Sequence, residues 1–513
     1  MSGLGKGTLS ASVARLLKSR GYSVLPIKFD GYLNVDCGTM NPFRHGEVFV
    51  LDDGTEVDLD FGTYERFLNQ SFPGKCSITG GKIFKLVIEK ERRGEYLGTD
   101  VQFIPHLTNE IQQWIHDIGK DYDFVLIEVG GTAGDLENGY FLEAMRQLSL
   151  KYPTLFIQLT YIPILPNGEQ KTKPTQHAVK LLATYGLRPN IIVCRVPDRL
   201  YPEARKKIAL YSNLPERNII EDPYFSTVYE LPLVLEKQHF FDLIAQHFGI
   251  EPAAADLEQW RQLVENIKHP DSTVKVSIVG KYVRNPDAYI SVKEALVHAG
   301  AHTRIKPEIE WIEAEVLEKT DPADILDGTQ SIIVPGGFGN RGIEGKIKAI
   351  QYARENKIPY IGLCLGMQLM VVEYARNALG MTGAHSTEFD PNTPYPVIDL
   401  LPEQRRITEK GGTMRLGAYE ARLLPGTRVR SLYGREIVSE RHRHRYEVNP
   451  DWVDKVFVDN LRVGGVSTRG DVVEFAEWKD HFGIASQAHL ELKSRLESPS
   501  PVFVAFLKEA QKR

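Results

Sequence analysis

Cysteine is scarce in this chain, which has 4 cysteines among 513 residues. They stand far apart, at Cys37, Cys76, Cys194 and Cys364, and form neither a CxxC pair nor a zinc-binding spacing. This pattern argues against a disulfide framework and favours a reducing compartment, so we expect a cytoplasmic protein.

Long apolar runs and a strong net charge are also missing. No apolar stretch approaches the ~20 residues that span a bilayer, and the opening "MSGLGKGTLSAS" lacks the apolar core of a secretory signal. The formal net charge is -5 at pH 7. We therefore expect no nucleic acid and no membrane as a partner.

The chain is long enough for two or more domains, and apolar, β-branched runs alternate with helical patterns along it. The predicted strands are 22–29, 124–129, 154–159, 190–196, 275–282, 331–337, 359–366 and 472–478. Such strands with helices between them predict an α/β protein, with two doubly wound domains whose parallel sheets are covered on both faces. A stretch with prolines around one amphipathic helix (249–275) separates the halves. We place the domains at 1–255 and 274–513, with a linker at 256–273.

The stretch "YIGLCLGMQ" (360–368) places Cys364 between Gly362 and Gly366, after an apolar strand and before a predicted amphipathic helix. A nucleophile on a tight strand-to-helix turn is lifted out of the sheet, and flanking glycines permit the strained backbone. The start of a helix also favours the thiolate. The alternative is a buried structural cysteine.

A cysteine nucleophile needs a base, a group that orients the base, and donors for the oxyanion. If "IASQAHLEL" (484–492) is a strand, His489 and Glu491 share one face, so His489 could take the thiol proton while Glu491 holds the ring. The glycines of "VPGGFGNRG" (334–342) suit the presentation of free N–H groups. An H-x-E pair and a glycine turn are both common by chance.

The first half begins with a different glycine pattern. Gly3, Gly5 and Gly7 flank Lys6 ahead of a helical pattern, which suits a triphosphate, although a flexible glycine-rich terminus is the alternative. Asp60 and Glu128 stand at the ends of apolar segments and offer the hard oxygen ligands that Mg²⁺ prefers. For either carboxylate taken alone, a solvated loop residue is the better interpretation.

Three motifs in order, "VPGGFGNRG", "GLCLGMQ" and H-x-E, resemble class I glutamine amidotransferase domains. More narrowly, the chain resembles the CTP synthase family over nearly its whole length. In the second half this rests on "HSTEF" (385–389), "GGTMRLG" (411–417) and "ERHRHRYEVN" (440–449); without the family, "RHRHRY" reads as a solvated basic face or an anion site. In the first half it rests on 28–50, 53–68, 90–111, 128–137 and "KTKPTQH" (171–177).

The resemblance implies a P-loop-like amidoligase (synthase) domain followed by a glutamine amidotransferase domain. It implies a catalytic triad of Cys364, His489 and Glu491. It implies glutamine contacts at Gly337, Leu365, Gly366, Met367, Gln368, Glu388 and Arg445. It implies ATP contacts at Gly3, Leu4, Gly5, Lys6, Gly7, Thr8, Lys28 and Asp60. It implies a site shared by UTP and CTP at Ser2, Asp135, Leu136, Glu137, Lys171, Thr172, Lys173, Pro174, Thr175, Gln176 and Lys207. Asp60 and Glu128 match magnesium ligands, and His45 matches a residue near the ammonia passage.

The activity implied by the resemblance is ATP-dependent amination of UTP to CTP with ammonia from glutamine. Magnesium as cofactor, activation by GTP, inhibition by CTP, and tetramers and filaments are typical of the family and are expected on that ground alone.

The sequence also departs from the family. The apolar strand that normally precedes the glycine loop is absent, so we expect weaker ATP binding or lower stability, or a misassigned start. Cys37 replaces a proline, Ala488 and Leu490 replace the usual neighbours of His489, and segments 76–84 and 492–501 differ from the usual pattern.

Two other functions remain open at this stage. One is a different glutamine-dependent amidoligase, such as those that amidate corrin precursors, although "KTKPTQH" argues against it. The other is a degenerate homologue that serves as a structural subunit of filaments.

Overall fold

A computed structural model describes residues 3–337, 339–400 and 414–513. The chain forms two compact units. Unit 1 comprises 1–36, 63–68 and 75–264, and unit 2 comprises 37–62, 69–74 and 265–513. A segment from the first part of the chain thus folds as part of unit 2. The domain bounds expected from the sequence stay a prediction.

The strands alternate with helices along most of the chain. They are β1 Val24–Asp30, β2 Phe49–Val50, β3 Glu56–Val57, β4 Ser77–Thr79, β5 Phe124–Val129, β6 Ile157–Tyr161, β7 Ile191–Val196, β8 Ile219–Pro223, β9 Ser272–Gly280, β10 Ile305–Glu313, β11 Ser331–Val334, β12 Tyr360–Leu363, β13 His385–Ser386, β14 Pro396–Leu400, β15 Arg415–Leu423, β16 Ile437–His444, β17 Tyr446–Val448, β18 Leu461–Ser467, β19 Val473–Trp478 and β20 Gly483–Ser486.

The α-helices lie between and around these strands. They are α1 Lys6–Lys18, α2 Pro42–His45, α3 Asp60–Leu68, α4 Gly80–Arg92, α5 Thr108–Gly119, α6 Gly139–Leu148, α7 Lys173–Thr184, α8 Pro202–Ser212, α9 Leu231–Lys237, α10 Phe240–Phe248, α11 Glu258–Lys268, α12 Ile290–Thr303, α13 Ala314–Lys319, α14 Pro322–Leu326, α15 Ile343–Glu355, α16 Leu365–Glu373, α17 Arg428–Tyr433, α18 Val453–Val456 and α19 Pro501–Ala510. None of the helices described is both long and apolar enough to cross a membrane.

Unit 1 contains two parallel sheets of three strands, ordered β4-β1-β5 and β6-β7-β8. Every residue of β1 is buried, as expected for a parallel strand covered on both faces. Helix α11 is the amphipathic helix predicted near the linker. It buries Trp260, whose indole N–H donates to the Tyr229 carbonyl at 2.8 Å.

Unit 2 is built on a sheet of nine strands, ordered β10-β9-β11-β12-β20-β19-β18-β15-β16. The first five are parallel to their neighbours, and the pairs from β20 to β16 are antiparallel. Two clusters of buried apolar side chains pack against this sheet. The α/β fold with mixed, largely parallel sheets agrees with the fold class predicted from the sequence.

All eight predicted strands are present, with shifts of a few residues at their ends. The prediction of a strand through His489 and Glu491 was wrong, because β20 ends at Ser486 and a turn follows. The prediction of an amphipathic helix after Cys364 was also wrong. Every residue of α16 is buried, because the helix is enclosed in the core of unit 2.

Candidate active site

Cys364 lies in a strained turn between β12 and α16, with φ 51° and ψ -103°. The two flanking glycines are required by close backbone approach. A Cβ on Gly366 would lie 2.1 Å from the Val334 carbonyl oxygen, and one on Gly362 would lie 2.8 Å from the Gly366 carbonyl oxygen. The Cys364 N–H donates to the Ser486 carbonyl at 2.7 Å, which ties the turn to β20. A backbone held in such a rare conformation is a feature of nucleophile turns.

His489 and Glu491 pair in the turn after β20. The Nδ1 of His489 lies 2.7 Å from Oε1 of Glu491. Burial lowers the pKa of His489, but Glu491 and the Cys364 sulfur outweigh that effect and raise the pKa to about 10. The imidazole of His489 is therefore held in its protonated form at neutral pH.

A glycine loop after β11 lies against this pair. A Cβ on Gly336 would meet Cε1 of His489 at 2.9 Å and Cβ of Cys364 at 3.6 Å. A Cβ on Gly337 would lie 3.6 Å from Cδ of Lys281 and 3.8 Å from Nζ of Lys346. The loop thus separates the thiol and imidazole from two buried lysines, and it has no room for a side chain at Gly336.

The residues expected to contact glutamine divide into two groups. Leu365 and Met367 have side chains buried in the core, so only their backbone could serve a ligand. Gln368 is also buried and donates to the Tyr446 carbonyl at 2.7 Å. Gly366 starts α16 behind Cys364, as described above.

Glu388 and Arg445 belong to a more open part of unit 2. Burial raises the pKa of Glu388, while Lys281 and the Gly339 N–H oppose the shift. Conversely, burial lowers the pKa of Lys281 to about 8, and Glu388 opposes this. Arg445, Lys281, Arg341 and Arg443 line a cavity of about 520 Å³, and none of its described lining residues is a carboxylate. A cavity with four cationic side chains suits a polyanion.

Strand β16 contacts both catalytic residues through its carbonyl groups. The Arg441 carbonyl accepts the backbone N–H of His489 at 2.7 Å, and the Arg443 carbonyl lies 3.8 Å from the Cys364 sulfur. The reading of "RHRHRY" as a solvated basic face was wrong, because Arg441, His442 and His444 are buried.

The arginines of β16 are held by the hairpin of β2 and β3, which is part of unit 2. Arg441 Nε lies 2.6 Å from Oδ1 of Asp52, and Arg443 Nε lies 2.7 Å from Oε1 of Glu56. The guanidinium of Arg441 also stacks 5.3 Å from the Phe49 ring centre. This hairpin therefore fixes the strand whose carbonyls contact the Cys364 thiol and the backbone N–H of His489.

In unit 1 the glycine pattern of the first residues leads into α1. Gly5 has φ 100° and precedes Lys6, the first residue of the helix. Lys6 Nζ donates to the Gly131 carbonyl at 3.1 Å, and a Cβ on Gly5 would lie 3.8 Å from Nη1 of Arg195. Gly3, Leu4, Gly7 and Thr8 belong to the same turn and first helical turn. A helix start with two cationic side chains nearby suits an anion.

Two further residues of the ATP prediction lie on adjacent strands. Lys28 of β1 pairs in register with Glu128 of β5, and both side chains are buried. Lys28 Nζ lies 3.9 Å from Oδ1 of Asp30, and Glu128 accepts a hydrogen bond from the hydroxyl of Tyr64.

Asp60, the other expected metal ligand, begins α3 in unit 2, where its N–H donates to Oδ1 of Asp58 at 3.0 Å. Among the residues described, no group of three or more His, Cys, Asp or Glu forms a metal cluster. Magnesium that binds nucleotide phosphates needs only one or two carboxylates, and Asp60 in unit 2 and Glu128 in unit 1 each supply one.

The residues expected to bind UTP or CTP lie in three places of unit 1. Asp135 accepts the Thr132 N–H at 2.7 Å, and Leu136 and Glu137 beside it are exposed. Lys173, Pro174, Thr175 and Gln176 form the first turn of α7, and Thr172 caps it. Lys171 lies 2.8 Å from Glu169, and Lys171 and Lys207 both lower the pKa of that carboxylate. The structure thus brings Lys171 and Lys207 together.

Two predicted residues need separate mention. Ser2 lies outside the described residues. His45 ends α2 in unit 2 and is exposed.

The sequence reasoning missed several side chains around the thiol and the phosphate loop. Gln487 Nε2 lies 3.8 Å from the Cys364 sulfur. Near Gly5, Nη1 of Arg195 donates to both carboxylate oxygens of Asp222, each at 2.8 Å. Neither belongs to a local motif, so no signal marked them. Lys346 was also missed, although Ile343, Ile347 and Ile350 define a buried helix face that includes position 346.

Comparison with known proteins identifies two families along the chain. A family model described as CTP synthase N-terminus matches residues 1–250, and one described as glutamine amidotransferase class-I matches residues 285–509. A CTP synthase of Thermococcus gammatolerans is 52% identical over 519 residues, covering 100% of this chain and 97% of its own. A CTP synthase of Pyrococcus furiosus is 51% identical over 519 residues, covering 100% of this chain and 96% of its own. A solved glutaminase domain of Trypanosoma brucei CTPS, with bound acivicin, is 34% identical, covering 47% of this chain and 94% of its own, with a TM-score of 0.44.

Proposed function

The chain belongs to the CTP synthase family, and we propose how its residues divide that family's reaction between them. It is a glutamine-hydrolysing ligase that aminates UTP to CTP with ATP and with ammonia from glutamine. In balance, ATP, UTP, glutamine and water give ADP, phosphate, CTP and glutamate. The two halves of that balance require a nucleophile for glutamine and a phosphate site for ATP.

Glutamine hydrolysis takes place at Cys364. Its thiolate attacks the carboxamide carbon of glutamine and forms a tetrahedral intermediate. His489, held by Glu491, gives its proton to the departing ammonia, which leaves a thioester on the sulfur. His489 then accepts a proton from the water that hydrolyses the thioester to glutamate. One observation carries this proposal. Nδ1 of His489 lies 2.7 Å from Oε1 of Glu491, and the imidazole ring and Cys364 both lie next to Gly336.

The oxyanion of both intermediates is stabilised by backbone N–H groups. The glycine loop at Gly336 and Gly337 and the N–H of Leu365, the residue after the nucleophile, are the candidates. Gln368, Glu388 and Arg445 hold the rest of glutamine. The charges of Glu388 and Arg445 match the α-ammonium and α-carboxylate of the substrate.

UTP is activated in unit 1. The turn from Gly3 to Thr8, with Lys6 and Lys28, binds the phosphates of ATP. Lys171, Lys207 and the first turn of α7 bind the UTP triphosphate, and the same place takes CTP as inhibitor. ATP phosphorylates the 4-oxygen of uracil, which converts a poor leaving group into a good one, and ammonia then displaces phosphate.

Magnesium is the metal that this chemistry requires, and we propose Glu128 in unit 1 as a ligand for it; Asp60 in unit 2 offers a second carboxylate. When bound, Mg²⁺ neutralises the phosphate charge that develops during transfer. The hydrogen bond from Tyr64 and the in-register Lys28 orient the Glu128 carboxylate and limit its movement.

Regulation and assembly are proposed on the same basis. The cavity with four cationic side chains supports GTP as an activator, because a triphosphate there would touch Arg443, whose carbonyl meets the Cys364 sulfur. Exposed leucines of unit 1, at Leu97, Leu136, Leu150 and Leu210, support assembly into a tetramer and filaments. Ammonia must reach UTP unprotonated, and His45 is proposed to lie near its passage. The four cysteines are all free, which supports a cytoplasmic location.

Cys364→Ala tests the division of labour. We expect it to abolish CTP formation from glutamine, because no nucleophile remains, and to leave CTP formation from ammonium chloride unchanged. Both rates are measured from the absorbance change as UTP becomes CTP. Cys194→Ala, in the core of unit 1, is the control and is expected to retain both activities.

Other outcomes would favour other functions. Equal loss of both activities in Cys364→Ala would contradict the role of the thiol. Hydrolysis of glutamine by the unmodified chain with CTP from neither nitrogen source would favour a degenerate homologue with an inactive synthase half. Activity with a corrin acid and none with UTP would favour the other amidoligase.

A further inference from the structure

Lys346 is a buried lysine that the reaction described above does not use. It lies on α15, and its side chain is 0% exposed. Lysine is seldom fully buried without a partner of opposite charge, because burial disfavours the ammonium. Burial and the nearby Lys281 lower the pKa of Lys346 well below its usual value, and the Cys364 sulfur opposes this shift. A costly residue in such a place calls for a function.

The side-chain nitrogen of Lys346 holds the start of the glycine loop. Its Nζ donates to the Pro335 carbonyl at 2.9 Å. At the other end of the loop, Lys281 Nζ donates to the Gly339 carbonyl. Two lysines therefore fix the carbonyl groups that bracket Gly336 and Gly337.

Fixing a carbonyl also fixes the next N–H. In a planar trans peptide the C=O and the following N–H point in opposite directions. The Pro335 carbonyl points to Lys346, so the Gly336 N–H points away from it. Gly336 itself lies against His489 and Cys364, as its Cβ distances show. Rotation of the Pro335–Gly336 peptide would exchange a donor for an acceptor beside the reacting carbon.

We propose that Lys346 is a positioning residue of the glutaminase, whose hydrogen bond to the Pro335 carbonyl keeps the loop N–H groups directed at the oxyanion of the intermediate. The proposal rests on the proposed function, in which Cys364 attacks glutamine. Lys346 touches no substrate and acts only through the peptide it holds.

The first test is Lys346→Met, which keeps the length and apolar stem and suits a buried site. We expect kcat for glutamine hydrolysis to fall roughly 10²- to 10³-fold, the loss typical of one missing oxyanion donor. KM for glutamine and CTP formation from ammonium chloride should stay within about threefold. Lys348→Met is the matched control, because Lys348 lies on the same helix, is partly exposed and donates to the Glu318 carbonyl at 3.0 Å.

A second measurement separates orientation from charge and from folding. Iodoacetamide alkylates a thiolate by displacement of iodide, and no oxyanion forms in that reaction. Cys364 of the Lys346→Met variant should therefore be alkylated at nearly the same rate as Cys364 of the unmodified chain. Equal losses in alkylation and hydrolysis would overturn the proposal in favour of a charge that stabilises the thiolate. A fall of more than about 10 °C in the melting temperature, with loss of both nitrogen-dependent activities, would overturn it in favour of a structural lysine.

Lys346→Gln provides the conservative variant, since its amide retains an N–H donor but is one bond shorter. Its hydrolysis rate should lie between those of the unmodified chain and Lys346→Met; a rate below that of the methionine variant would contradict the hydrogen bond. Failure of this proposal is distinct from failure of the proposed function. If Cys364→Ala loses glutamine-dependent synthesis while Lys346→Met does not, only the role of Lys346 is rejected.

Discussion

We predict that Asp52→Asn, in the hairpin formed by β2 and β3, lowers both the stability of the protein and the rate of glutamine hydrolysis. The substitution removes the negative charge that faces Arg441, whose side chain is 0% exposed. It removes one ion-pair partner of a buried guanidinium and adds no bulk. The carbonyl of the same arginine accepts the backbone N–H of His489 at 2.7 Å, so a shift of Arg441 reaches the backbone that carries the catalytic imidazole.

The size of the effect follows from the burial of the two partners. Removing one member of a fully buried ion pair costs about 3–5 kcal/mol. The Asp52 side chain is 37% exposed, so water weakens the pair and we take about 2 kcal/mol. For a unit of this size that corresponds to a loss of roughly 4–8 °C in melting temperature. Displacement of His489 by a fraction of an ångström should lower kcat for glutamine hydrolysis by about tenfold.

The assay compares three quantities in unmodified and substituted chains: melting temperature, glutamate release and CTP formation from ammonium chloride. The first two should fall and the third should not. Asp451→Asn is the control, because Asp451 is an exposed aspartate of the same unit. A lower melting temperature with unchanged glutamate release would refute the reasoning that the hairpin positions His489.

The ion pair of Asp52 and Arg441 also predicts how the effect of Asp52→Asn on the melting temperature depends on pH. Burial raises the pKa of Asp52, but Arg441 outweighs it and the net pKa is lowered. A lowered folded pKa contributes stability above the unfolded pKa, and this is lost as pH falls through the folded value. The difference in melting temperature between the two chains should therefore be full at neutral pH and disappear only in acid, below the ordinary pKa of an aspartate.

Two further substitutions test the catalytic turn. Gly336→Ala would place a methyl group 2.9 Å from Cε1 of His489, so we expect at least a roughly 10²-fold loss of glutaminase activity, with synthesis from ammonium chloride retained; unchanged glutamate release would contradict the close approach. Glu491→Gln removes the carboxylate that, against the effect of burial, raises the pKa of His489 to about 10. A raised pKa stabilises the folded state below the pKa of the unfolded state, and this stabilisation is lost as pH rises through the folded pKa. The difference in melting temperature between Glu491→Gln and the unmodified chain should therefore be full at mildly acid pH and shrink toward pH 10. A difference that grows with pH would contradict the assignment.

The local sequence pattern was sufficient to predict the strands and the turn that are determined by neighbouring residues. Largely apolar runs predicted β1, β5, β7 and β12, because strands covered on both faces are apolar at most positions. The G-x-C-x-G pattern predicted a strand-to-helix turn at Cys364 because only glycine tolerates the approach of Val334 and Gly366. Strand composition did not predict direction, and β19 proved antiparallel to both neighbours.

Other features depend on residues far apart in the chain. His489 and Glu491 pair across a turn rather than along a strand, because β20 ends three residues before the histidine. The partners Asp52 and Arg441 are 389 positions apart, and no short motif marks either one. Lys346 could have been found, since it shares the buried face of α15 with three isoleucines, but a lysine at such a position is ordinarily read as solvent-exposed.

The hairpin also bears on how the enzyme can be divided for study. A fragment that starts at residue 274 contains Cys364, His489 and Glu491 but lacks Asp52 and Glu56, so Arg441 and Arg443 would meet water in place of their carboxylates. Rate constants obtained on such a fragment would describe a glutaminase without two of its anchors. The presence of both halves in one chain therefore has a structural consequence, because part of the scaffold of the amidotransferase comes from the first part of the chain.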